Sequence, residues 1–455
     1  MSSLLSLLPY QEEAVEWCFK NESTCAILAY DMGLGKTIIT CALLQSKPLK
    51  TIIIAPACIL QQWETELAKH TSNQSILVYH GANRKQVQKR LHCTDIIITT
   101  SHVLANDIQN DDEKIQNFLS SVSCWVIDEA HQLRNSSCKV YKALCAYAPN
   151  VANKVFLTGT PVCNKPTDII SLICLSNYVP YNNTDIWRHM RYVKRIELLN
   201  EINASIILRR TKADTISHIM PELHTHNISM TLEKGEQLNI YNSFTTDEIT
   251  LRRILRLRQA VNNHAPLSED ECIETAIKII AVNKIIASIP ATDKIIIFSY
   301  FTTLLRDLAH NIDNQNINLQ MYHGEMNMNE RNSTIETFKT DPSAHILLIN
   351  LRAGGCALNL SEANHVILME PYWNDSEQEQ AINRAYRYGQ TKPVHVYRLQ
   401  VENSIEKWLC SLQQIKKTLS KFLIDRADIS IEELLQQKEN VAKLYKEHTE
   451  EQAVS

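Results

Sequence analysis

Residues 31–37, Asp-Met-Gly-Leu-Gly-Lys-Thr, hold the chemistry most readily named from residue type and spacing. Gly33 and Gly35 let backbone N–H groups close on phosphate oxygens, and the start of a following helix adds partial positive charge. Lys36 is placed to reach the β- and γ-phosphates of ATP, and the Thr37 hydroxyl to sit on Mg²⁺. Asp31, Met32, Leu34 and Ile38 complete the stretch that contacts nucleotide. The loop is shorter than the full G-x-x-x-x-G-K-T form, because Ala29 or Tyr30 stands where the first glycine falls. About 90 residues on comes Asp128-Glu129-Ala130-His131, directly after the apolar run Cys124–Ile127. A carboxylate pair at the end of a buried parallel strand suits a ligand site. Asp128 would hold Mg²⁺, usually through water, and Glu129 would orient or deprotonate the attacking water. A bare acid pair is otherwise a helix cap or a surface feature, but the buried strand before it argues against that. Thr158-Gly159-Thr160-Pro161 suits a relay turn. Gln380, Arg384 and Arg387 lie on a helical segment whose two arginines, three apart, would share a face and meet the γ-phosphate. Gln11 has an amide able to read an adenine edge, although a lone glutamine is more often a surface residue.

The elements that must carry these groups alternate. Apolar runs at 24–30, 50–55, 76–79, 95–100, 124–127 and 155–157 read as strands buried on both faces, with helices between them. This alternation, with ligand residues at strand ends, predicts an α/β RecA-like lobe. From about 166 to 205 the pattern turns helical, and Arg188, Arg191, Lys194 and Arg195 recur at helical spacing, either as a solvated basic face or as a DNA contact. An alternating strand, His224 to Met230, closes this first lobe at about 232. A helical connecting segment, 233–275, carries Arg252, Arg253, Arg256 and Arg258, either a phosphate grip or a face balancing nearby acids. A second α/β block occupies 276–430, with a charged helical tail over 431–455. Met321-Tyr322-His323-Gly324 repeats Val78-Tyr79-His80-Gly81, which hints at related lobes.

Composition bounds the rest. At 455 residues there is room for two or three domains, and 44% apolar with 21% charged content is that of a globular protein. The net charge of −4 supplies no global field toward nucleic acid, so such binding must come from local patches. The 13 cysteines form no C-x-x-C pair and no zinc spacing, and are expected to be reduced, buried thiols. No apolar run is long enough for a membrane span, and the N-terminus lacks signal-peptide character. There are nine glycines, about 2% against an average near 7%, and eight lie in the motif segments. Adjacent Gly354 and Gly355 suit a close phosphate approach.

Ten motifs in order resemble the Swi/Snf family of helicase-like, DNA-translocating ATPases of superfamily two. They are LLPYQ, DMGLGKT, TIIIAPACILQQWETEL, DEAHQLRN, LTGTPVCN, ILRRTK, LRLRQ, YHGEM, LRAGGCALNL and PYWNDSEQEQAINRAYRYGQ, spanning about residues 5–410. The length and composition resemble those of baculovirus global transactivators. The resemblance implies two RecA-like lobes with ATP between them. Gln11 would contact adenine, and Gly33, Gly35, Lys36 and Thr37 would bind phosphates and Mg²⁺. Asp128 and Glu129 would support hydrolysis, with Arg384 and Arg387 as arginine fingers. The implied partner is duplex DNA, with chromatin or transcription complexes as candidates, and the implied location is the nucleus (the host's, for a viral chain). Ala357, Asp375, Asn383, Tyr386 and Tyr388 depart from the family pattern, none of them at a group needed for hydrolysis. A strand-separating helicase, or a transcription-regulating binding protein with vestigial ATPase chemistry, are the alternatives.

Overall fold

A computed structural model describes residues 6–20, 25–71, 74–81, 84–110, 112–159, 167–233, 236–243, 251–262, 276–313, 318–353 and 358–425. The chain divides into two units: among the described residues, 6–217 with 419–425 form the first, and 218–418 the second.

The first unit is built on seven strands: β1 (Ala26–Tyr30), β2 (Thr51–Ile54), β3 (Ile76–Val78), β4 (Ile96–Thr99), β5 (Cys124–Ile127), β6 (Asn153–Thr158) and β7 (Ile207–Arg210). They form one parallel sheet in the order β3-β4-β2-β5-β6-β1-β7. Helices cover both faces, so β1, β2, β4 and β5 are buried at every position and read as unbroken apolar runs. Each fully buried Ile or Leu contributes about 1.5–3 kcal/mol. β7 is a strand that the sequence pattern did not announce: two of its four residues are arginines. The expected helical insertion is present as Thr167–Ser176, Thr184–Arg188 and Tyr192–Ile206. Its basic residues do not share one helix. Arg188 is exposed and pairs with Asp185, whereas the Arg195 guanidinium turns back to donate to Met190 O. Five described cysteines, such as Cys41 and Cys174, are buried; Cys58, expected to be buried, is exposed.

The second unit has six strands: β8 (Leu223–Met230), β9 (Ile295–Ser299), β10 (Leu319–Tyr322), β11 (Ile346–Asn350), β12 (His365–Leu368) and β13 (Val394–Val401). Their order, β10-β11-β9-β12-β13-β8, repeats the β3-β4-β2-β5-β6-β1 portion of the first sheet. The repeated Tyr-His-Gly segments end the two matching edge strands, β3 and β10. Alternate residues of the central strands feed two separate cores: Ile295, Ile297, Ile346 and Leu348 on one face, Ile296, Phe298, Leu347 and Ile349 on the other.

Three boundaries expected from sequence move. β8 pairs in parallel with β13 over eight registered residues, so it belongs to the second unit and the division falls at 217 rather than 232. Its alternating exposure is that of an edge strand covered on one face. The segment 233–275 is no mere connector in its described parts. Leu232, Tyr241, Ile254, Leu257 and Val261 form a core with Val401 and Ile405. Residues 419–425 return to the first unit, where Asn203 Nδ2 donates to Leu423 O at 3.0 Å. The 431–455 tail lies outside the described residues, as do Gly354, Gly355 and Thr160.

One face of β8, β13 and β12 carries a ladder of stacked histidines. The His224 and His395 rings lie 4.9 Å apart, those of His365 and His395 5.0 Å, and His226 Nε2 is 3.2 Å from His395 Nδ1. His365 Nε2 is in turn 3.2 Å from Asp293 Oδ2, and Lys392 Nζ bonds Asp293 Oδ1 at 2.6 Å. Among the described residues, no group of three or more His, Cys, Asp or Glu side chains is placed to hold a metal ion, and no helix is long and apolar enough to cross a membrane.

Candidate nucleotide site

The stretch 31–35 turns the chain from the end of β1 into the helix Lys36–Ser46. Gly33 (φ 89°) and Gly35 (φ 78°) are left-handed, a conformation that costs L side chains about 1–2 kcal/mol. Gly35 is the N-cap and offers no side-chain cap, so the first N–H groups of the helix have no partner within it. This is the cradle a phosphate chain requires. Leu34 is fully buried and anchors the turn, Met32 packs against Gly159, and Thr37 and Ile38 are half-buried on the first helical turn. Lys36 Nζ donates to Tyr30 O at 2.7 Å and to Asp31 O at 3.4 Å, which folds the ammonium over its own loop.

Gln11 sits under this loop. Its Oε1 accepts from Leu8 N at 3.0 Å, and its Nε2 donates to Leu34 O at 3.2 Å. A Cβ on Gly35 would lie 2.5 Å from that Nε2, so glycine is demanded there by contact as well as by φ. In this arrangement the Gln11 amide props the loop, and both of its ends are engaged by backbone.

Arg209, on β7, clamps the entrance of the loop. Its guanidinium bonds Asp31 Oδ1 at 2.8 Å, Ala29 O at 2.9 Å and Gly159 O at 3.4 Å. Lys212 N donates to the other Asp31 oxygen at 3.0 Å. The neighbouring Arg210 pairs with Glu13 on the first helix. The sequence signal was present as two adjacent arginines after an apolar triplet, but their target lies some 180 residues away in the chain.

The acid pair follows β5. Asp128 Oδ1 accepts from Glu129 N at 2.8 Å, and Oδ2 accepts from Trp63 Nε1 at 2.9 Å. Glu129 is left-handed (φ 48°, ψ 45°), which is uncommon outside glycine. Ala130 is fully buried. His131 Nδ1 lies 3.2 Å from Thr158 Oγ1 and 3.4 Å from Glu129 Oε2, so the relay turn touches the acid pair through a histidine. Burial, then the Glu129 charge, pushes the Asp128 carboxyl up to about 6, against the pull of Trp63 and Lys36. Burial lowers the Lys36 pKa, and Glu129, Asp128 and Asp31 oppose it in that order. The Lys36 ammonium thus feels the charges of both the loop and the acid pair. Two carboxylates held this close repel each other, and a divalent cation relieves that repulsion. The acid pair thus suits a divalent cation such as Mg²⁺.

In the second unit, the helix Asp375–Ala385 ends before Arg387. Arg384 is buried on its last turn, whereas Arg387 lies in the turn beyond, half-buried, so the two do not share a helical face as expected. Burial lowers the Arg387 pKa, with Glu362 opposing it. Arg258, expected on a cationic face that grips phosphates or balances nearby acids, is buried. Its guanidinium lies 5.1–5.8 Å from the ring centres of Tyr300, Phe301, Tyr372 and Trp373. Cation–π attraction stabilises such a desolvated guanidinium. Glu370, buried beyond β12, accepts from Ser299 Oγ and Tyr300 N, and Lys278 and Arg258 offset its burial.

A parallel sheet that presents an uncapped glycine loop with its lysine after β1, and an acid pair after β5 two strands away, defines a phosphate-loop ATPase lobe. The chain matches the SNF2-related domain over residues 10–283 and the helicase conserved C-terminal domain over residues 277–389. It belongs to the SNF2-related family and is an ATP-hydrolysing, helicase-like enzyme of two α/β RecA-like lobes. It is 25% identical to a "Probable global transactivator" of Orgyia pseudotsugata multicapsid polyhedrosis virus, covering 94% of this chain and 93% of that one. It is 29% identical to an uncharacterized ATP-dependent helicase of Mycoplasma genitalium, over 94% of this chain but 44% of the relative's length. With "ATP-dependent DNA helicase DDM1" of Arabidopsis thaliana it shares 27% identity, over 92% of this chain and 62% of that protein. A solved structure, "Sulfolobus solfataricus SWI2/SNF2 ATPase core in complex with dsDNA", is 30% identical with a TM-score of 0.43, covering 94% of this chain and 96% of that one.

Proposed function

We propose that this chain is a DNA-dependent ATPase that translocates on duplex DNA, remodels protein–DNA complexes and acts in transcription regulation in the nucleus. The observation that carries the ATPase part is the uncapped left-handed glycine loop with Lys36 after β1 and the acid pair after β5 of the same parallel sheet. The near full-length likeness to a viral transactivator supports the transcriptional part. In this reading Lys36 exchanges its two carbonyl partners for β/γ-phosphate oxygens, and the N–H groups of 33–38 hold the remainder. Glu129 orients the attacking water and accepts its proton, with His131 and Thr158 fixing its carboxylate. Thr37 and Asp128 would hold Mg²⁺, which would neutralise charge on the phosphates when bound. Arg384 and Arg387 act on the γ-phosphate when the units close on ATP, and cycles of closure move the protein along duplex DNA.

The test is ATP turnover titrated with duplex DNA, single-stranded DNA, RNA and nucleosomes. Stimulation by duplex DNA is expected, lost in Lys36→Ala and in Glu129→Gln. Undiminished turnover in both variants would overturn the assignment of the site, and a preference for RNA would overturn the DNA reading. Displacement of a triplex-forming strand without separation of the duplex distinguishes translocation from unwinding.

A further inference from the structure

Trp63 is the residue on the helix after β2 whose side chain reaches into the acid pair. β2 and β5 are neighbouring strands with Ile54 opposite Ile127, so the helix that follows β2 stands beside the turn that follows β5. The indole is 2% exposed, and its N–H ends 2.9 Å from Asp128 Oδ2. An indole N–H only donates, so it can hold a carboxylate oxygen but cannot exchange roles with it. The other oxygen, Oδ1, accepts from the backbone N–H of the next residue. The carboxylate is thus pinned at both ends, once by its own turn and once by a side chain from a different strand–helix unit.

We propose that Trp63 is a positioning residue for the reaction: its indole N–H holds Asp128 Oδ2 and so fixes the orientation in which the carboxylate is presented to the divalent cation of the bound nucleotide. The inference rests on the ATPase reading above. Groups that bond the back of a metal ligand typically set about 10- to 100-fold in metal affinity. A tryptophan that merely fills the core would instead affect stability and leave cation affinity alone.

The experiment uses the full chain with Trp63→Phe, which keeps an aromatic ring and deletes the donor. A second variant with 3-benzothienylalanine at position 63 replaces N–H by sulfur in a ring system of nearly the same shape. It carries the test if the phenylalanine variant does not fold. Mn²⁺ is titrated by electron paramagnetic resonance in the presence of saturating adenylyl imidodiphosphate. Metal-free binding of a fluorescent methylanthraniloyl nucleotide is measured in EDTA. The expected result is Mn²⁺ affinity weakened about tenfold or more, with metal-free nucleotide affinity within about twofold of the parent. Unchanged Mn²⁺ affinity in a folded variant that binds nucleotide overturns the role of Trp63 and leaves the ATPase reading standing. Failure of the parent protein to bind nucleotide overturns both.

Discussion

Replacing Arg209 with alanine tests whether the edge strand β7 holds the phosphate loop or merely flanks it. The guanidinium makes a charge-assisted bond to Asp31 and two bonds to carbonyls, at 2.8, 2.9 and 3.4 Å. Bonds to charged groups contribute about 1.5–3 kcal/mol when desolvated, and exposed pairs about 0–1 kcal/mol. Arg209 and Asp31 are 21% and 28% exposed, between those limits, and Arg209→Ala also leaves Ala29 O without its guanidinium donor. The loss is therefore about 2–3 kcal/mol, which in a domain of this size lowers the melting temperature by about 5–10 °C. Arg209→Lys retains charge but not the fork, and recovers less than half of that loss. The assay is thermal unfolding by circular dichroism in a double-mutant cycle with Asp31→Asn, beside the KM for ATP. Coupling above about 1 kcal/mol and a raised KM are expected. A melting temperature within about 1 °C of the parent, with no coupling, would refute the clamp.

The remaining expectations rest on other sites. Lys278 and Glu406 form an ion pair with both side chains 1% exposed, and Asn262 Oδ1 accepts from Lys278 Nζ at 2.9 Å. Glu406→Gln should cost about 3–5 kcal/mol in urea unfolding, while the Lys278→Met, Glu406→Leu double variant should cost less than either single change. Gly35→Ala meets both a left-handed backbone and Gln11 Nε2, whereas Gly81→Ala at φ 75° has open space. Nucleotide binding by calorimetry should fall for the first and hold for the second. In the histidine ladder, burial, aided by neighbouring imidazoles, lowers the pKa of His365 and His395. Because the unfolded chain then binds more protons, stability should be full above about pH 6.5 and decline as pH falls through the lowered folded values. Burial disfavours the Asp293 anion, but bonds from Asn364, Lys392 and His365 outweigh it and hold its carboxyl at about 2. That adds a second loss of stability as pH falls from the unfolded value of about 3.9 toward 2. His395→Asn should flatten the slope of urea-derived stability between about pH 7 and 5.

What could be read from the sequence follows from what is local. The loop, the acid pair and the central strands announce themselves because a strand covered on both faces must be apolar throughout, and a helix start with Gly-Lys-Thr carries its chemistry within seven residues. What could not be read depends on distant partners. The alternation of His224 to Met230 marks an edge strand, but nothing within it names the sheet; that is decided by eight residues of β13 some 170 positions on. Arg258 has the same charge and helical spacing as Arg252, and only the four rings assembled from 300–301 and 372–373 draw it inward. Trp63 stands on an amphipathic helix, a place where a tryptophan ordinarily packs into a core. Its burial fits that reading, whereas its donor function needs the position of Asp128.

The left-handed backbone at Glu129 implies that this site is maintained against the fold's own preference. A non-glycine residue there carries about 1–2 kcal/mol of strain, and its carboxylate repels Asp128 besides. Replacement by glycine or asparagine should therefore yield a protein that melts higher and turns over nothing. A screen that selected this chain for thermal robustness alone would be expected to discard Glu129, the proposed general base, among the first substitutions.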